Sequence, residues 1–94
     1  MKYLKCDWIH NYDDCPYSFY NEIGKDNFEI RKIEFFKNGL VAYASKEIEY
    51  HTFLSEATVP SVEEINLDIQ FKAELITQEE FEILWKKYVV QNIK

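Results

Sequence analysis

Ninety-four residues, 47% apolar and 17% aromatic, are too few for two hydrophobic cores and too apolar for disorder, so a single domain spanning residues 1–94 is expected. A formal net charge of −6 argues against nucleic-acid binding, and two glycines leave no material for a glycine-rich phosphate cradle. Two cysteines without an apolar leader, and no apolar run long enough to span a bilayer, point to a cytoplasmic protein with reduced thiols and no membrane partner.

Residues 3–9 alternate Leu4, Cys6 and Trp8 with Tyr3, Lys5, Asp7 and Ile9, the period of a β-strand. The polar run His10-Asn11-Tyr12-Asp13-Asp14-Cys15-Pro16 is a loop, because its side chains bond their own backbone and Pro16 disfavours helix at Cys15. A second strand follows over 17–23, and Gly24, Asp26 and Asn27 turn the chain into a third.

Residues 28–44 are the centre of the pattern, two β-branched and aromatic runs around Asn38-Gly39. Read as a two-residue type I′ hairpin, the dipeptide sets Phe36 opposite Val41, Phe35 opposite Ala42, Glu34 opposite Tyr43 and Ile33 opposite Ala44. Glu29, Arg31, Ile33 and Phe35 then share a face with Ala42 and Ala44. Phe28, Ile30, Lys32, Glu34 and Phe36 share the other with Val41 and Tyr43. Both faces are partly apolar, so something covers or binds each of them. Residues 47–54 alternate more weakly, as an extension of the fourth strand or a separate edge segment.

Two helix starts are explicit. Ser61 with Glu64 is a capping box that opens a short helix over about 62–67. Thr77 with Glu80 is a second, and Ile76 with Phe81 occupies the positions of a hydrophobic staple. From Gln78 to about Val90, Phe81, Leu84, Trp85, Tyr88 and Val89 form an amphipathic stripe suited to lie on a sheet. The expected fold is α+β: an antiparallel meander of four, or five, strands packed by a C-terminal amphipathic helix, with one additional short helix.

Charge is distributed unevenly. The whole excess lies in residues 47–71, where Glu47, Glu49, Glu56, Glu63, Glu64 and Asp68 meet no Lys or Arg. Such a block repels phosphates and attracts basic surfaces. A second polar group, Glu22, Glu29, Arg31 and Lys32, sits in strands expected to be central, where an ion pair would satisfy charges that water reaches poorly. Trp8, Tyr12, Tyr17, Tyr20 and Tyr43 are read as core and rim packing, there being too little basic charge among them for nucleic-acid stacking.

No catalytic signature is present: there is no nucleophile triad and no interpretable carboxylate pair, so an enzyme is not expected. His10, Asp13, Asp14 and Cys15 match no zinc or calcium spacing, and neither metal nor cofactor is expected. A hydrolase built on His10 with Asp13 or Asp14 is the weakest reading. His51, within the acidic block, is read as a partly exposed structural histidine.

Trp8-Ile9-His10, Pro16 with Tyr20-x-Glu22, Glu29-x-Arg31-Lys32, Asn38-Gly39, Tyr43-Ala44, the run from Val59 through Pro60 and Ser61 to Glu63-Glu64-Ile65, and Phe81-Glu82-x-x-Trp85 together resemble a family of short bacterial proteins of unknown function. The likeness spans about Tyr3 to Tyr88. Members that look like neighbours of polymorphic toxin genes imply an immunity role. The leading expectation is therefore a protein-interaction module, an immunity protein that neutralises a basic, nuclease-like toxin. Its contacts would be Glu47, Glu49, Tyr50, His51, Glu56, Glu63 and Glu64. The alternative is a small-ligand or nucleotide-binding module using His10, Tyr20, Glu22, Arg31 and Lys32 around one sheet face. An exposed edge strand would also offer a route to a homodimer.

Overall fold

A computed structural model describes residues 1–92. Strands β1 (Lys2–Trp8), β2 (Ser18–Ile23), β3 (Glu29–Phe35), β4 (Val41–Ala44), β5 (Glu49–Tyr50) and β6 (Phe71–Ile76) form one antiparallel sheet in the order β5-β4-β3-β2-β1-β6. Helix α1 (Val62–Ile65) precedes β6, helix α2 (Gln78–Tyr88) follows it, and a 3-10 turn at Val90–Asn92 comes after α2. No described helix is long and apolar enough to cross a membrane.

The expected meander is present as β1 to β5, with β5 a two-residue edge. The sixth strand was not expected. It returns the chain to β1, pairing Tyr3 with Ile76 and Trp8 with Phe71, and makes β1 an interior strand. Both capping boxes form as read, with Ser61 accepting from Glu64 N–H and Thr77 from Glu80 N–H. Helix α1 stops at Ile65 rather than near Leu67, because the Asn66 side chain is drawn to β6. Its Nδ2 donates to Ala73 O at 2.9 Å, and its Oδ1 accepts from Ala73 N–H at 2.6 Å.

The central hairpin differs from the expected register by one residue. Phe35 pairs with Val41, Glu34 with Ala42, Ile33 with Tyr43 and Lys32 with Ala44. Gly39 has φ +91°, whereas Asn38 is not at positive φ as type I′ would require. Phe36 N–H donates to Leu40 O, and Gly39 N–H to Phe36 O. These bonds define a three-residue loop, a type I turn closed by glycine in a G1 bulge, and Asn38 Oδ1 accepts from Leu40 N–H at 2.9 Å. One residue of slip exchanges the faces, so Val41 and Tyr43, not Ala42 and Ala44, lie with Arg31, Ile33 and Phe35.

A second irregularity lies between β2 and β3. Glu22 pairs with Arg31 but Ile23 pairs with Glu29, leaving Ile30 as an extra residue on β3. The bulge turns Glu29 onto the face opposite Arg31, correcting the expectation that the two share a face.

Each face is covered. On one, Phe81, Leu84 and Trp85 of α2 pack with Tyr3, Ile33, Tyr20, Phe35, Val41 and Ile76. On the other, Val59, Val62 and Ile65 pack against Leu4, Cys6, Ile23 and Ala73, with Phe19 and Phe71 beside them. We call these the helix face and the groove face.

Candidate functional site

On the helix face, Arg31 is the hub. Nε donates to Glu22 Oε1 at 2.6 Å and Nη2 to Glu22 Oε2 at 3.1 Å. Nη1 and Nη2 reach the two Glu82 oxygens at 2.9 and 2.8 Å. The guanidinium carbon lies 4.9 Å from the Phe81 ring centre and 5.0 Å from that of Trp85. Burial works against the charge, but the hydrogen bonds to Glu82 and Glu22 outweigh it and hold the guanidinium above its ordinary pKa. The Arg31 hydrogen bonds in turn lower the Glu82 carboxyl. Tyr3 O–H donates to Glu22 Oε2 at 2.8 Å, and burial first, then that bond, raises the Tyr3 phenol. The ion pair expected within this polar group is thus present as Arg31–Glu22, and Arg31 directs its donors to α2 and β2, tying helix to sheet.

The five residues of the ligand-binding alternative are not brought together. Tyr20, Glu22 and Arg31 lie on the helix face, in a packed layer. Lys32, one residue on from Arg31, lies on the groove face and pairs with Glu29 at 3.0 Å. His10 sits in the β1–β2 loop, its ring 4.2 Å from that of Trp8. His10 Nδ1 accepts from Tyr12 N–H and Nε2 bonds Pro16 O, so both nitrogens serve the loop and the neutral Nε2–H tautomer is implied. Asp13 and Asp14 are exposed in the same loop, and no described group of three or more His, Cys, Asp or Glu side chains could hold a metal ion. Cys6 and Cys15 are free thiols. The Trp8 indole stacks with Phe19 and Phe71, and its Nε1–H is buried without a hydrogen-bond partner among the described residues.

The groove face joins Glu29 and Lys32 to polar side chains from elsewhere in the chain. Asn21 Nδ2 donates to Glu29 Oε1 at 3.2 Å, and Glu29 Oε2 also accepts from Ser55 N–H at 2.8 Å. Glu34 lies on the same face, where burial raises its carboxyl pKa against the lowering effects of Lys32 and a hydrogen bond with Thr52. Between these side chains and the segment running from Ser55 to Asp68 is a cavity of about 460 Å³, whose apolar lining includes Leu4, Phe19, Ile65 and Phe71. The bulge that turns Glu29 inward was the missing signal, since without it the sequence pairs Glu29 with Arg31.

The acidic block forms the outer covering of this face. Glu47, Glu49, Tyr50 and His51 lie at the β5 edge, Glu56 in the loop over the groove, and Glu63 and Glu64 on α1; all seven are exposed. Residue His51 adopts φ 60° after the strand, turning the chain from the edge onto the groove face. None of the block's carboxylates takes part in a salt bridge among the described residues. Beside them large apolar side chains reach solvent: Phe53 is 68% exposed, and Leu67 and Ile69, flanking Asp68, are 84% and 92% exposed.

A family model described as a domain of unknown function (DUF6881) matches residues 2–90, and the chain belongs to that family. No curated protein and no solved structure matches the chain.

Proposed function

We propose that this DUF6881 chain is a protein-interaction module that captures a basic protein partner on the layer formed by residues 47–71, and that it acts as an immunity protein by covering the cleft of a nuclease-like toxin. One observation carries the reading. The segment holds the chain's entire charge excess on exposed carboxylates outside its ion pairs, interspersed with Phe53, Leu67 and Ile69 at exposures unusual for large apolar side chains. Carboxylates of this kind steer a basic surface into encounter, and the apolar groups supply area to bury once contact is made. The edges of the sheet are poorly suited to a homodimer: β5 is two residues long, and the Ala73 backbone of β6 is taken by Asn66.

The test is a pull-down with the full chain at low and moderate salt, alongside a Glu49→Lys/Glu63→Lys variant. Neither residue caps a helix or lines the cavity. A basic protein retained by the natural chain, released by salt and not retained by the variant supports the proposal. Retention indifferent to the two reversals refutes it.

A further inference from the structure

The cavity on the groove face has a character that neither the sequence nor the interaction surface assigns. Its volume of about 460 Å³ falls in the range of small-ligand sites, and its lining combines apolar side chains with a few polar ones, as such sites do. The polar groups decide what fits. Lys32, the one cationic side chain in the wall among the described residues, is paired with Glu29, and Glu29 is further occupied by Asn21 and Ser55. Glu34, Glu64 and Asp68 contribute three further carboxylates. Anionic ligands, phosphates and nucleotides among them, meet net negative walls and no uncommitted donor cation. Glu34 is different from Glu29: among the described residues it makes no salt bridge, and with Thr52 beside it the carboxyl keeps acceptor capacity although burial makes it costly to ionise. Lys32 nearby offsets part of that cost, and a cation bound in the cavity offsets more of it.

We propose that this cavity binds an organic cation with an apolar body, its ammonium or guanidinium group set against Glu34 and its apolar part against Phe19, Ile65 and Phe71. Two sources carry this chemistry, a free amine or a basic side chain on a protein partner. The cavity argument does not depend on the proposed partner surface.

The experiment is a titration of the full chain with phenethylammonium, with 2-phenylethanol and hydrocinnamate as neutral and anionic counterparts, followed by melting temperature and by amide and side-chain NMR shifts. The ammonium probe is expected to raise the melting temperature saturably and to shift Asn21, Lys32 and Glu34. The alcohol should bind about tenfold or more weakly, since a charge-assisted hydrogen bond is worth about 1.5–3 kcal/mol and each 1.4 kcal/mol is tenfold. Glu34→Gln, which keeps the shape, should weaken the ammonium probe by a similar factor. Ala57→Trp, at an exposed position on the cavity mouth, should block it without entering the core. Equal binding of the three probes, or shifts confined to other residues, would overturn the proposal. Glu34→Gln in the pull-down then separates the sources: loss of both probe and protein identifies a basic side chain, and loss of the probe alone a free amine. Because Glu49→Lys/Glu63→Lys leaves the cavity intact, failure of the interaction reading would show there and not in the titration.

Discussion

Arg31→Met removes four hydrogen bonds and leaves two carboxylates behind, and the environments of those carboxylates set the cost. The side chain of Glu22 is 8% exposed and would keep only the Tyr3 hydroxyl; that of Glu82 is 43% exposed and can turn to water. Stranding one member of a buried pair costs about 3–5 kcal/mol, whereas an exposed pair contributes about 0–1 kcal/mol. Methionine retains an apolar stem against Phe81 and Trp85, so the loss is mainly that of the Glu22 pair. A domain of this length has about 5–14 kcal/mol to lose, and at about 4–8 °C per kcal/mol the melting temperature should fall by about 12–40 °C. Urea titration followed by tryptophan fluorescence, with calorimetry for the transition, measures both. Adding Glu22→Leu to Arg31→Met removes the stranded charge and should recover most of the loss. A single variant that loses less than about 1 kcal/mol, or a double variant as unstable as the single, would refute the reasoning.

Three further variants extend the test, Glu34→Gln and Asn66→Ala on the groove side and Glu82→Gln on the helix face. Burial raises the Glu34 carboxyl, so its contribution to stability is present at low pH and is lost as pH rises through the folded-state value. Natural protein should therefore lose stability relative to Glu34→Gln from the ordinary carboxylate range upward. Glu82, lowered by Arg31, should show the opposite sign against Glu82→Gln, and urea midpoints across pH for both variants check the pair. Asn66→Ala removes the two bonds to the Ala73 backbone and should cost about 1–2 kcal/mol, with faster amide exchange at Ala73; unchanged exchange there would mean Asn66 does not hold the edge.

The features legible in the sequence are those set by local chemistry. Alternation located β1 to β3, both capping boxes form on the residues that announce them, and α2 buries Phe81 as its stripe required. What was not legible turns on single residues. Asn-Gly serves a two-residue I′ turn or the end of a three-residue loop equally well, and the choice here, made with Lys37 and the Asn38 side chain, reversed the facing of β4. The extra residue Ile30 split Glu29 from Arg31. Strand β6 runs directly into the Thr77 cap and carries an exposed Leu75, so its alternation of Phe71, Ala73 and Leu75 was overshadowed by the helix start. The Arg31–Glu22 pairing was readable across neighbouring strands, but Glu82 lies 51 residues on and only the fold brings it to the guanidinium. The seven residues proposed here as a partner surface are all exposed, whereas the cavity beneath them depends on the bulge and was invisible.

The interaction surface is tested most directly by the association rate of the retained basic protein with the immobilised chain, measured as a function of ionic strength for the natural sequence and for Glu49→Lys/Glu63→Lys. Steering by residues 47–71 predicts a rate that falls steeply with salt in the natural chain, and a slower, flatter profile in the variant. Identical profiles for the two chains would contradict the assignment of the acidic layer as the partner surface.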